Sequence, residues 1–345
     1  MGVVSQAPTG GASTPPGCPY EGKVYLELSP DLPYKSQGWF ELIVEVIGVS
    51  RFFGEVKAVD GVSLSVGREV VAIMGPNGSG KSTLLSMVAG VLRPSAGVIR
   101  VHGFNVWGSS VEMAKARSLL GYAPQKPPLR FDVSAYDNLV WHCLIRGFSL
   151  LDARRRAREL LELVGLAEHS GKSVWQLSGG MVRRLVIASA LVHEPDVLVM
   201  DEPSTGVDPG ALDSLWAVIM RLSKGRTIIY STHNPMEAER FSSRVAIMHR
   251  GKVVLEGEPR SLIESYAPNP MVEVTLAEGE PLEVGECVMV EKVGRTATYE
   301  AWNVTACIES VARAHKEAGF RIEKLEVRTP GLREVFRRVT GAALG

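Results

Sequence analysis

The sequence predicts an α/β fold built on a mostly parallel sheet covered by helices, and three observations carry that prediction. From about residue 40 onward, strand-like apolar runs alternate with helical patterns, as parallel strands joined by crossover helices require. The run Val197-Leu198-Val199-Met200 is continuously apolar, as expected of a strand buried on both faces. Gly75-Pro76-Asn77-Gly78-Ser79-Gly80-Lys81-Ser82-Thr83 forms a glycine-rich turn between an apolar run at 70–74 and a helical segment at 84–90.

In chain order, residues 1–22 hold Pro8, Pro15, Pro16 and Pro19 among Gly, Ser and Thr, a composition that predicts a flexible tail. Strands are expected at 41–50, 62–66, 70–74, 98–101, 197–200, 227–232 and 245–248. Between 126 and 175 the pattern turns helical. Ala157, Leu160, Leu161 and Val164 share one helix face and Arg154, Arg155 and Arg158 lie elsewhere, which predicts a helical insertion. After the break at Pro268-Asn269-Pro270, strands at 271–276, 286–290 and 321–327 and a helix at 307–318 suggest a separate small α/β domain. A terminal helix places Leu332, Val335, Phe336 and Val339 on one stripe.

The length allows two domains, and 38 basic residues balance 38 acidic ones. No global field therefore argues for nucleic acid or an anionic membrane surface. Cys18, Cys143, Cys287 and Cys307 fit neither metal-ligand spacing nor a disulfide framework, which points to a reducing, cytoplasmic setting. No stretch of eighteen uncharged apolar residues exists, so no membrane span is expected. The first residues lack the basic and apolar regions of a signal peptide.

The glycine-rich turn carries the chemistry of a triphosphate site. Glycine lets the backbone curl so that successive N–H groups face phosphate oxygens, Lys81 reaches the β- and γ-phosphates, and the Ser82 hydroxyl can ligate Mg²⁺. Asp201 and Glu202 stand at the carboxyl end of the buried 197–200 strand, where ligands of open α/β sheets collect. Consecutive strand residues point opposite ways, so Asp201 can hold Mg²⁺ while Glu202 orients the attacking water. Leu177-Ser178-Gly179-Gly180 precedes an apolar helical run at 185–192 and offers a second anion site, suited to the γ-phosphate bound by another copy; Ser178 is equally a plain N-cap.

Together with Gln125, Ser204 to Asp208 and His233, in this order and at these separations, these motifs resemble an ATP-binding-cassette (ABC) ATPase. The resemblance implies a P-loop ATPase fold at 41–262, with a helical subdomain at about 126–180. An N-terminal extension at 1–40 and a small accessory α/β domain at 263–345 flank it. The ending at 332–341 resembles the tails of cassettes that serve exporter-type permeases for drugs, antibiotics or sodium.

Position by position, the resemblance implies that Phe53, or Phe52 in its place, stacks on adenine, that Gln125 touches Mg²⁺, that Asp208 crosses a dimer interface and that His233 contacts the γ-phosphate. Asp208-Pro209 also fits an N-cap followed by proline at the first helical position. Met181 stands where the family usually has Gln. The expected protein is thus the ATPase subunit of an exporter that uses ATP and Mg²⁺. Glu202, His233 and Lys81 serve hydrolysis, and Ser82, Gln125 and Asp201 the metal. Two cassettes pair, as a homodimer or with a related copy, beneath a separate permease on the cytoplasmic face of the membrane, and no nucleic acid is expected. The alternative is a non-transport ABC ATPase acting on nucleic acid or the ribosome; such members carry long coiled-coil insertions or two cassettes, and this chain shows neither.

Overall fold

The computed structural model describes residues 42–342, so the expected tail at 1–22, the extension at 1–40 and Cys18 lie outside the described residues. The hairpin of β1 (Val44–Phe53) and β2 (Val56–Val66) is followed by β3 (Val70–Met74), the glycine-rich turn and α1 (Lys81–Val88). Next come β4 (Ala96–Val101), β5 (Phe104–Asn105), α2 (Ser110–Ser118) and β6 (Leu120–Ala123). Helices α3 (Ala135–Ile145) and α4 (Leu150–Leu163) form the insertion, and α5 (Gly179–Ala190) leads to β7 (Val197–Met200). Then follow α6 (Pro209–Leu222), β8 (Thr227–Thr232), α7 (Pro235–Phe241), β9 (Arg244–His249), β10 (Lys252–Gly257) and α8 (Pro259–Tyr266). The last elements are β11 (Met271–Leu276), β12 (Val288–Val293), β13 (Thr296–Glu300), α9 (Val304–Glu317), β14 (Ile322–Arg328) and α10 (Leu332–Thr340).

The central sheet has six strands in the order β10-β9-β3-β8-β7-β6, parallel except for β10 at one edge. Its strands read as unbroken apolar runs because both faces are covered. Val71, Ile73, Val197 and Val199 pack toward the antiparallel sheet β2-β1-β4-β5 and α1, while Ala72, Met74, Leu198 and Met200 pack toward α5, α6 and the insertion. The order brings the carboxyl ends of β3, β7 and β8 side by side, which is what assembles the site.

A third sheet, β12-β13-β11-β14, is antiparallel and buries Val272, Val274 and Tyr299 against Cys307 and Val311 of α9. Cys287 and Cys307 are joined by a disulfide across 5.4 Å between Cα atoms, which corrects the expectation that the cysteines form no such bond. Twenty residues separate them in sequence, and only the packing of α9 on this sheet brings them together. The cysteine argument for a reducing setting falls with that correction.

The apolar stripe of α10 does not join this small sheet. Leu332, Val335 and Phe336 are fully buried in the core shared with Ala238 of α7 and Leu262 of α8. The opposite side of α10 faces the third sheet, where Arg338 donates to both carboxylate oxygens of Glu300 at 2.6 and 2.5 Å. One helix therefore ties the accessory sheet to the main core. Phe336→Ala is expected to destabilise the fold by about 4 kcal/mol through lost burial and the cavity left behind, read as a lowered midpoint in urea unfolding.

Candidate active site

The loop between β3 and α1 needs glycine for reasons the backbone makes explicit. Gly78 and Gly80 adopt φ of 78° and 104°, in the left-handed half of the map where a side chain is strained. A Cβ on Gly80 would lie 2.2 Å from the Ala58 carbonyl oxygen, and one on Gly75 2.1 Å from that of Met248. The loop is thus clamped between β2 and β9. Lys81 opens α1, is 4% exposed, and donates to the carbonyls of Gly75 (2.8 Å) and Pro76 (3.0 Å). Burial pushes its ammonium below the usual lysine value, an effect that the carboxylates of Glu202 and Asp201 oppose. The Ser79 hydroxyl oxygen is buried with no hydrogen-bond partner among the described residues. Such an orphaned donor in a glycine-rich loop at the N-terminus of α1 suits an anionic ligand.

Asp201 and Glu202 follow β7. Asp201 Oδ1 accepts from Ser82 Oγ at 3.0 Å and from Ser231 Oγ at 2.6 Å, so the loop hydroxyl and the strand-end carboxylate meet as the sequence suggested. Two hard oxygen donors beside a phosphate cradle fit Mg²⁺, which is bound through few protein ligands together with substrate phosphates. Glu202 is 7% exposed and adopts φ of 46°, a left-handed conformation that costs a non-glycine residue on the order of 1 kcal/mol. Its carboxylate accepts from Thr205 Oγ1 (2.8 Å) and Gln125 Nε2 (3.4 Å), and lies 3.8 Å from Lys81 Nζ and 3.4 Å from His233 Nδ1. Three expected residues from three segments, Lys81, Gln125 and His233, therefore converge on one carboxylate.

His233 follows β8 and stays half-exposed, beside Asn234, whose Oδ1 accepts from Met236 N to cap α7 with Pro235 at its first position. Phe53 ends β1, is 48% exposed and has the Arg51 guanidinium 4.7 Å from its ring centroid; the neighbouring Phe52 is 40% exposed. Ser178 caps α5, accepting from Met181 N at 3.4 Å. A Cβ on Gly179 would meet the Gly206 carbonyl at 2.3 Å, so this glycine is required by packing as well as by any ligand. Met181 is partly buried and packs on the main core. Asp208 occupies the N-cap of α6 with Pro209 behind it, but its exposed side chain makes no capping bond.

None of the hydrogen bonds or ion pairs around Glu202 involves Ser178, Gly179, Gly180 or Asp208. The structure gathers Lys81, Ser82, Gln125, Asp201, Glu202 and His233, and leaves the Ser178 terminus and Asp208 outside that cluster. Sequence reading missed Thr205, Ser231 and Arg183. The hydroxyls sit one turn beyond Glu202 and on the adjacent strand β8, and Arg183 points into the protein from α5.

This combination of clamped phosphate loop, paired carboxylates on a parallel sheet and a helical insertion defines a nucleotide-hydrolysing cassette. The family model described as "ABC transporter" matches residues 59–205. The chain is 36% identical over 309 residues to the Nod factor export ATP-binding protein I of Rhizobium sp. (strain N33), covering 87% of this chain and 98% of that protein. It is 33% identical over 306 residues to the daunorubicin resistance ATP-binding protein DrrA3 of Streptomyces coeruleorubidus, covering 86% and 96%. Among solved structures, a dimeric ATP-binding cassette, MJ0796, in a post-hydrolysis state bound to ADP and Pi aligns with a TM-score of 0.57. It shares 27% identity and covers 63% of this chain and 98% of its own. The chain belongs to the ABC transporter family, as one of its ATP-binding subunits. It is an ATPase, and subunits of this class pair with one another and work with a membrane permease. No helix among the described residues is long and apolar enough to cross a membrane.

Proposed function

We propose that this chain drives an exporter from the cytoplasmic face of the membrane, as one of two identical cassettes that sandwich two MgATP between them. The observation that carries the reading is the division within a single chain. Lys81, Ser82, Asp201, Glu202, Gln125 and His233 converge, whereas among the described residues no hydrogen bond or ion pair joins the side chain of Ser178 to theirs. A second copy supplies the missing face, with Ser178 and the N–H groups of Gly179 and Gly180 meeting the γ-phosphate and Asp208 reaching across the seam.

Within the site, Phe53 stacks on adenine and residues 75–83 cradle the phosphates. Ser82, Asp201 and Gln125 are suited to hold Mg²⁺, which supplies neutralisation of phosphate charge. Lys81 leaves the Gly75 and Pro76 carbonyls for phosphate oxygens. Glu202 orients a water in line with the γ-phosphorus and accepts its proton as the new P–O bond forms and the bond to the bridging oxygen of ADP breaks. His233 holds the γ-phosphate from the β8 side. Export is supported by relatives named for Nod factor export and for daunorubicin and linearmycin resistance. A docking face for the permease is supported by exposed Trp141, Leu144, Ile145 and Leu151 on the insertion. We place the domain boundaries at 41–262 for the cassette and 263–345 for the accessory domain.

If the site is shared, specific ATPase activity must rise with enzyme concentration in the dilute range, because pairing is second order. A specific activity independent of concentration down to the nanomolar range, from a chain that sediments as a monomer, would contradict it.

A further inference from the structure

Arg183 lies on α5, one turn beyond the Ser178 cap, and is only 4% exposed. Among the described residues its hydrogen bonds all go to main-chain carbonyl oxygens. Nη1 donates to Pro124 (2.7 Å) and Gln125 (3.2 Å), Nε to Pro203 (3.0 Å), and Nη2 to Glu202 (2.8 Å) and Asp201. One guanidinium thus joins three segments: the helix that begins at Ser178, the loop that carries Gln125, and the end of β7 that carries both carboxylates. Burial opposes its charge, and the nearby Asp201 and Glu202 carboxylates favour it. Among the described residues its hydrogen bonds reach 124–125 and 201–203 and not the loop at 75–83.

The carbonyls it binds are those that the sheet cannot serve. After Met200 the chain leaves the ladder, and Glu202 turns into the left-handed region with φ of 46°. A backbone in that state persists only when its surroundings over-determine it. On one side Ser231 Oγ accepts from Glu202 N at 2.9 Å; on the other Arg183 grips the oxygens of 201, 202 and 203. We propose that Arg183 is a positioning residue for hydrolysis: its fork of carbonyl bonds sets the backbone of Glu202 and the Gln125 loop relative to each other and to the helix that meets the partner's nucleotide. The inference rests on the reading of Glu202 as the hydrolytic carboxylate. Lysine cannot replace it, because a single ammonium on a flexible stem cannot span 124–125 and 201–203 together.

The test compares full-length wild type, Arg183→Lys, Arg183→Met, Glu202→Gln and the double variant Arg183→Lys with Glu202→Gln. Equilibrium binding of a fluorescent ATP analogue and steady-state phosphate release are measured for each. A small displacement of a reacting group is costly, so Arg183→Lys is expected to lower kcat by at least about tenfold, with KM and ATP affinity within about threefold of wild type. If Arg183 acts through Glu202, adding Arg183→Lys to Glu202→Gln lowers the residual rate no further. Arg183→Lys carries the test if Arg183→Met fails to fold. A wild-type kcat in Arg183→Lys beside an inactive Glu202→Gln would overturn the positioning role alone. So would equal losses of rate and ATP affinity, or a full additional loss in the double variant. A wild-type rate in Glu202→Gln would instead overturn the reading of Glu202.

Discussion

Glu202→Gln is expected to slow ATP hydrolysis by roughly a hundredfold or more, the scale of a lost general base, and to accumulate an ATP-bound pair of copies on a sizing column. The side chain is nearly isosteric, and the contacts from Thr205 Oγ1 and Gln125 Nε2 need only an oxygen, which the amide retains. What disappears is the negative charge and the ability to take a proton from water. The ground state gains at the same time. Removing one of two buried carboxylates beside the phosphate cradle lowers the repulsion that bound ATP meets, so nucleotide stays and the seam stays closed. A variant that remains monomeric under saturating MgATP would show that nucleotide does not hold two copies together.

Lys81→Ala is expected to weaken ATP binding by roughly ten- to a hundredfold, from the ~1.5–3 kcal/mol that a hydrogen bond to a charged group contributes. The effect should stand toward the upper end of that range. With the ammonium gone, incoming phosphates face Glu202 and Asp201 without the cation that sits 3.8 Å from Glu202. Titration calorimetry without Mg²⁺ isolates this contribution, and an unchanged Kd would show that the loop N–H groups alone hold the nucleotide.

The parts of the site that could be read from sequence are those in which chemistry restricts the residue type locally. Gly75 and Gly80 are glycine because a Cβ would strike Met248 or Ala58, and Val197–Met200 is apolar because both of its faces are buried. The strands at 70–74, 197–200, 227–232 and 271–276 were legible for the same reason, as continuous or alternating apolar runs. Strands β6 and β13 were not. Leu120–Ala123 is four residues long with Gly121 pressed against the Ala190 carbonyl, and Thr296–Glu300 buries Thr298 and Glu300, so neither shows an apolar run.

What depends on tertiary placement left no local mark. Arg183 beside Arg184 reads as a solvated helix face, and only the fold turns it inward. The partners Cys287 and Cys307 meet because α9 packs on a sheet that the sequence shows only as fragments. The stripe of α10 was visible, but a stripe does not say which core it enters, and Phe336 enters the one beneath α7 and α8.

The shared site is tested most directly by asking which copy touches the γ-phosphate. A ¹⁵N-labelled Lys81→Ala copy, impaired in binding nucleotide in its own loop, is mixed with unlabelled wild type and an ATP analogue bearing a photoreactive group on the γ-phosphate. After irradiation, the label should appear on the ¹⁵N peptide containing Ser178, Gly179 and Gly180. Label confined to unlabelled peptides, in a mixture shown to contain mixed pairs, would contradict a nucleotide held between two chains.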